Sequence, residues 1–270
     1  MELCARSVRK LLDDEFSTLD HRRKLELCIG CCKVRECTRT TSPPPRKQTW
    51  VQGVLCLHSQ KTPIKHNDLK AANFLQSTSG VVKIADLGLA IAGSGTWRAE
   101  GTREDRGDQI CNWLAPEVAR ALLERGPIMS VYTTHSDIYS LASVFWEVCA
   151  SRRPCAPSRP SLISPCARVM WQIFTGGIPL QYFDLGRLNE LAHDKGVKLP
   201  NGLTESTPPK VLVRIGVAML GLRPAMPWAL EDGVKALLNR MWSTTPTDRP
   251  NAQTVLAELT SILHSEFMRV

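Results

Sequence analysis

Aromatic residues are scarce in this chain, at 6% of 270 residues, and long apolar runs are missing. The longest, Leu141 to Ala150, is interrupted by Glu147 and is too short to span a bilayer, so no membrane role is expected. Few aromatics also means no basic stripe interleaved with stacking rings. Nucleic acid is therefore not an expected partner, although the formal charge is +8 and the pI is about 9.1. Much of the positive excess sits between Lys33 and Lys47, where Lys33, Arg35, Arg39, Arg46 and Lys47 face only Glu36. A local basic insert accounts for the charge better than a basic domain face. The start, Met1-Glu2-Leu3-Cys4-Ala5, is not a basic segment followed by an apolar one, so a cytoplasmic setting with reduced thiols is expected. Of the ten cysteines only Cys28, Cys31, Cys32 and Cys37 cluster. No histidine or second CxxC pair lies at ligand spacing from them, which argues against zinc.

What is present is a chain 43% hydrophobic, enough for one large or two small cores. Ser7 to Leu12 and Asp20 to Ile29 read as helices, with Asp20 able to cap the second. Cys31 to Gln52 breaks every pattern with cysteines, threonines and Pro43-Pro44-Pro45. Helical character returns at Gly53 to His58. Phe74-Leu75 and Val81 to Ile84 flank a Ser/Thr/Gly turn and predict a small hairpin. Ala90 to Asn112 is loop-like. Ser136 to Ala150 reads as a buried helix, Leu230 to Met241 as an amphipathic one, and Ala252 to Phe267 as a terminal helix. Val144 to Val148 with Arg152-Arg153-Pro154 lines up with Val169 to Ile173 and Gly177-Ile178-Pro179. Gly196-Val197-Lys198-Leu199-Pro200 echoes Gly221-Leu222-Arg223-Pro224. Chance likeness of helix ends and a duplicated segment both fit this weak repeat.

The chemistry concentrates in His66-Asn67-Asp68-Leu69-Lys70-Ala71-Ala72-Asn73 and, shortly after, Asp86-Leu87-Gly88. Asp68 sits where a base can accept or orient a hydroxyl proton, and Lys70, two residues on, can neutralise a phosphate oxygen. Asn73 and Asp86 offer hard oxygen ligands of the kind Mg²⁺ takes alongside substrate phosphates. Phosphoryl transfer is mostly positioning and charge neutralisation, so this short set is what the reaction needs.

Five blocks in order resemble the C-terminal lobe of a eukaryotic protein kinase. They are His66 to Asn73; Lys83-Ile84-Ala85-Asp86-Leu87-Gly88; Ala115-Pro116-Glu117; Ser136-Asp137-Ile138-Tyr139-Ser140 with Phe145-Trp146-Glu147; and Met241-Trp242 with Asp248-Arg249-Pro250. Trp113 and Trp242 look most similar to the tyrosine-kinase-like group, and Lys70 resembles the serine/threonine type. The resemblance implies an α+β protein kinase-like fold: a mainly helical C-lobe with a small β hairpin, spanning residues 1–265. It implies Mg²⁺-dependent transfer of the ATP γ-phosphoryl group to serine or threonine hydroxyls of protein substrates, under possible regulatory protein partners. It implies Asp68 as catalytic base, Lys70 at the γ-phosphate and Asn73 and Asp86 as Mg²⁺ ligands. Glu117 would pair with Arg249, Asp137 would hold the catalytic-loop backbone, and His66 would pack in the spine. Met1 to Cys4 looks like the hinge that touches adenine through its backbone, which adds Glu2 and Cys4 to the nucleotide site.

The departures are as informative. The resemblance begins at the hinge, so the N-terminal lobe, with its glycine-rich loop, phosphate-binding lysine and helical glutamate, is expected to be absent. A truncated or pseudokinase fragment acting as a non-catalytic binding module is the alternative this raises. Asn67 stands where the family commonly has the arginine that meets an activation-loop phosphate, so no phosphate switch of that type is expected. Insertions are expected at 31–52, 99–112 and about 155–207. Removing 99–112 joins Gly95-Thr96-Trp97-Arg98 to Trp113-Leu114-Ala115-Pro116-Glu117 and makes Thr96 the threonine that touches the catalytic aspartate. Retained intervening sequence or exon duplication and genuine surface loops both fit. The helix that 31–52 would split favours the first.

Overall fold

Thr133 and Ser136 cap a helix reciprocally, the Thr133 amide donating to Ser136 Oγ at 3.0 Å and the Ser136 amide to Thr133 Oγ1 at 3.3 Å. The helix they start runs Thr134–Cys149, and every residue from Leu141 to Val148 is buried. The structure, a computed structural model, describes residues 4–15, 50–77, 82–93, 113–126, 128–149, 184–226 and 230–267. In chain order the elements are β1 (Cys4–Ser7), α1 (Val8–Glu15), α2 (Trp50–His58), β2 (Ile64–Lys65), β3 (Phe74–Ser77), β4 (Val82–Ile84) and β5 (Ile91–Ala92). Then come α3 (Pro116–Leu123), α4 (Ile128–Val131), α5 (Thr134–Cys149), α6 (Leu185–Asp194), α7 (Pro209–Leu220), α8 (Asp232–Met241) and α9 (Ala252–Phe267).

The core gathers on α5. Leu141 and Phe145 from it join Val118 of α3, Leu188 of α6, Ile215 of α7, Leu237 of α8 and Val255 of α9 in one buried cluster. Three indole N–H groups enter this apolar region and each meets an acceptor. Trp113 Nε1 donates to Glu147, Trp146 Nε1 to the Ala225 carbonyl at 2.8 Å, and Trp242 Nε1 to Ser143 Oγ at 3.1 Å. Helix ends follow local chemistry: Pro116 and Pro209 occupy first-turn positions, and Asp184 and Asn251 cap by accepting the amides of Arg187 and Thr254.

Two small sheets flank the helices. β3 and β4 form the expected hairpin, with Phe74 opposite Ile84, and β1 adds antiparallel to the other edge of β3, giving the order β1-β3-β4. β2 pairs with β5, Ile64 opposite Ala92.

Several elements differ from the sequence expectation. Cys4–Ser7 is a strand because its backbone pairs with β3, so the first helix starts at Val8, with Ser7 Oγ accepting the Lys10 amide at 3.2 Å as its cap. The helix before the catalytic loop begins at Trp50, three residues earlier than Gly53, and Val51 is fully buried. Helix α6 lies inside the stretch read as an insertion, and its Leu188 is fully buried in the core. The echoed segments are both helix ends: Gly196 and Gly221 adopt φ of 62° and 61°, the left-handed geometry that glycine tolerates after a last helical turn. Asp20 to Ile29, the basic insert, the cysteine cluster, residues 99–112 and the repeat partner at Val169 to Ile173 lie outside the described residues. So do Glu2 and Thr96.

Candidate active site

The β3–β4 hairpin is what brings the two chemical segments together. Phe74 faces Ile84 across the ladder, so Asn73, just before β3, and Ala85, just after β4, meet as the Ala85 amide donates to the Asn73 carbonyl at 2.8 Å. Asp86 follows directly. The catalytic-loop end of the hairpin therefore presents Asn73 and Asp86 side by side, with Asp68 tied to the first of them.

That tie is specific. Asn73 Nδ2 donates to Asp68 Oδ2 and to the Asp68 carbonyl, both at 2.8 Å. Lys70 Nζ lies 3.0 Å from the same Oδ2. Asp68 is only 6% exposed, and its second oxygen, Oδ1, is buried without a hydrogen-bond partner among the described residues. A buried carboxylate oxygen left without a donor costs free energy, about 1–3 kcal/mol or more. One oxygen is thus saturated by the protein and the other is left without a donor.

Asp86 is held differently. It is exposed, adopts φ 62° and ψ 67°, and accepts the Gly88 amide at 3.3 Å. Left-handed backbone is tolerated by aspartate better than by most residues. A Cβ on residue 88 would lie 3.0 Å from Asp86 Oδ1, so glycine there leaves the carboxylate its place. The donor set fits Mg²⁺. Asp86 contributes an accessible carboxylate, and the Asn73 amide nitrogen is committed to Asp68, leaving its oxygen for a cation. No cluster of three or more His, Cys, Asp or Glu able to hold a metal occurs among the described residues. Two protein oxygens completed by substrate phosphates is the arrangement Mg²⁺ uses in phosphoryl-transfer sites.

Asp137, 1% exposed, organises the loop from below. Its Oδ2 accepts the His66 amide at 2.8 Å and its Oδ1 the Asn67 amide at 2.9 Å. His58 Nε2 adds a third contact at 2.8 Å. His66 is fully buried, and its ring accepts the Asp68 amide at Nδ1, 3.3 Å, and donates from Nε2 to the Ala85 carbonyl, 3.1 Å. Those two bonds match the Nε2–H tautomer.

Farther down, Arg249 meets Glu117 in a two-pronged pair, both N···O distances 2.7 Å, and donates to the carbonyls of Ser243 and His135, each at 2.9 Å. The guanidinium groups of Arg249 and Arg223 lie 5.1 Å and 4.8 Å from the Tyr139 ring centre. Removing Arg249 strands Glu117, although that carboxylate keeps 17% exposure and can be partly hydrated. Arg249→Ala is expected to cost about 3 kcal/mol in urea unfolding, with Arg249→Lys intermediate because an ammonium cannot grip both oxygens. Burial pushes the Tyr139 hydroxyl up to about 12, against the opposing pull of Arg223 and Arg249. Its folded value is raised above the unfolded one, so it contributes stability below pH about 10 that is lost as pH rises through about 12. Comparing unfolding of the wild type and Tyr139→Phe from pH about 9 to about 11.5 checks this: the alkaline decline should be shallower in the variant.

Of the residues picked out from sequence, the structure gathers Asp68, Lys70, Asn73, Asp86, His66 and Asp137 at one end of the hairpin and Glu117 with Arg249 below it. Cys4 lies in β1 opposite Ser77, across from the hairpin. Sequence reasoning gave no role to His58, Arg223 or Glu147. Position eight residues before His66, at a helix end, was the only signal for His58. Glu147 sits within a motif block but is fully buried, accepts from Trp113 and lies 3.9 Å from Arg9.

The protein kinase domain profile matches residues 46–260. The chain belongs to the protein kinase family. Among similar kinases is the probable serine/threonine-protein kinase roco7 of Dictyostelium discoideum, 28% identical over 218 residues, which are 78% of this chain and 6% of roco7. Serine/threonine-protein kinase STY46 of Arabidopsis thaliana is 28% identical over 214 residues, 78% of this chain and 25% of that protein. Receptor-interacting serine/threonine-protein kinase 3 of Homo sapiens is 27% identical over 206 residues, 76% of this chain and 30% of that one. The chain thus spans less than a third of the length of these kinases. The kinase profile covers α2 through most of α9, including Trp50–Gln52 and helix α6. No helix among the described residues is long and apolar enough to cross a membrane.

Proposed function

We propose that this kinase chain transfers the γ-phosphoryl group of ATP to serine or threonine hydroxyls of proteins, with Mg²⁺. The observation that carries the reading is the divided Asp68 carboxylate, Oδ2 held by Lys70 and Asn73 and Oδ1 buried without a donor of its own among the described residues. In the reaction Oδ1 accepts the hydrogen bond, and finally the proton, of the substrate hydroxyl and aims its oxygen at the phosphorus. Lys70 Nζ, already within 3.0 Å of that carboxylate, neutralises the oxygens of the group being transferred. The Asn73 amide oxygen and the Asp86 carboxylate would hold Mg²⁺. When bound, that ion neutralises the phosphate charge that builds toward the transition state. Asp137 fixes the loop so that Asp68 does not wander, and the backbone from Glu2 to Cys4 would receive adenine. A cytoplasmic location and regulatory protein partners fit the composition and the family. They are part of the same proposal.

The test is to incubate the purified chain with radiolabelled ATP, Mg²⁺ and peptide mixtures bearing serine, threonine or tyrosine as the single hydroxyl. Label on the serine and threonine peptides, none on tyrosine, and none with Asp68→Asn is the expected outcome. Wild-type chain that binds partners but labels nothing would favour the non-catalytic binding module.

A further inference from the structure

The turn that carries Asp86 has almost nothing apolar to hold it. Leu87 is 54% exposed, Asp86 and Gly88 are exposed, and the turn's own bonds are local, Ala90 to Leu87 at 3.0 Å and Gly88 to Asp86 at 3.3 Å. Two side chains reach it from the catalytic loop, and they are neighbours in sequence. His66 Nε2 donates to the Ala85 carbonyl on one side of Asp86, and Asn67 Nδ2 donates to the Leu89 carbonyl, 2.8 Å, on the other. Both residues are in turn fixed through their backbone amides by the two oxygens of Asp137.

Asn67 is built for this task. It is 7% exposed and adopts φ 65°, a backbone geometry that asparagine tolerates and most side chains do not. Its amide orientation is set by its partner: a carbonyl accepts, so the nitrogen must face Leu89. Its own Oδ1 is buried with no hydrogen-bond partner among the described residues, so the contact the side chain makes is the donation to Leu89. The neighbouring link, Lys65 Nζ to the Gly93 carbonyl at 2.7 Å, also ends on a backbone oxygen.

We propose that Asn67 is a positioning residue for Asp86: with His66 it brackets the Asp86 turn, and so ties the metal-binding carboxylate to the loop that bears Asp68. The inference rests on the kinase reading for the role of Asp86. The bracket uses a neutral amide and needs no added charge to close.

Two variants separate the tether from the backbone. Asn67→Gly keeps the left-handed geometry at no steric cost and deletes the donor. Asn67→Asp keeps the size and sets a carboxylate oxygen against the Leu89 carbonyl. Hydrogen exchange is followed on peptides covering 82–93 and on α5, and Mg²⁺ is titrated against ATP binding by calorimetry on the whole chain. The expected result is faster exchange confined to 85–93, greater for Asn67→Asp. Half-saturating Mg²⁺ should rise about tenfold, the usual scale for groups that orient metal ligands. Exchange at 85–93 unchanged in Asn67→Asp overturns the proposal, and so does an increase spread equally through α5, which marks a general loss of structure. If wild-type chain shows no Mg²⁺-dependent ATP binding, the kinase reading fails on its own, and the exchange comparison still decides whether Asn67 holds the turn.

Discussion

Asp137→Ala is expected to lower the unfolding free energy by about 3–5 kcal/mol, the largest loss for any single substitution considered. The carboxylate is 1% exposed and accepts from the His66 amide, the Asn67 amide and His58. Its removal leaves two backbone N–H groups with no acceptor in residues that are buried, His66 fully and Asn67 at 7% exposure. Asn67, held at φ 65°, loses what pays for that geometry. Asp137→Asn should fall between, since one amide oxygen can still accept while its nitrogen opposes a donor. Urea unfolding followed by far-ultraviolet circular dichroism gives the number. A loss below about 1 kcal/mol for the alanine variant would show that the loop closes without this carboxylate.

Asp68→Asn is expected to cut the rate of phosphoryl transfer by about 10²- to 10⁴-fold while leaving the fold and the ATP affinity nearly unchanged. The reason lies in the two oxygens. Lys70 Nζ and Asn73 Nδ2 both point donors at Oδ2, so an asparagine must turn its oxygen to them. Its nitrogen then occupies the place of Oδ1 and offers a donor where the substrate hydroxyl needs an acceptor. Volume and hydrogen bonding survive, and the base does not. Steady-state kinetics should show the loss in kcat with KM for ATP little moved, and thermal unfolding should stay within a few degrees of wild type. Equal losses in both kinetic constants would place Asp68 in nucleotide binding.

Much of this site is legible in sequence because its parts are local. Asp68, Lys70 and Asn73 fall within six residues, and the hairpin that carries Asn73 toward Asp86 is announced by two short β runs and a turn between them. Helix α9 spans Ala252–Phe267 as its periodicity predicts, and α5 starts at Thr134, two residues before its predicted start. What stays hidden depends on partners far along the chain. Cys4–Ser7 has no strand pattern of its own and becomes one through pairing with β3. Asn67 looks like a lost arginine until its amide is seen on the Leu89 carbonyl. His58 is an ordinary helix-end histidine until α5 brings Asp137 within 2.8 Å. Leu185–Asp194 falls within the stretch that motif spacing marks as an insertion, and spacing does not tell that its Leu188 is buried with the rest of the core.

The central claim is that the Asp68, Asn73 and Asp86 end of the hairpin is a working Mg²⁺–nucleotide site. Calorimetric titration of ATP into the whole chain, with Mg²⁺, without it, and in Asp86→Asn, tests this most directly. Binding that requires Mg²⁺ and disappears in Asp86→Asn is the result expected from an exposed carboxylate set beside Asn73. Binding equally tight without Mg²⁺, or unchanged in Asp86→Asn, would contradict it.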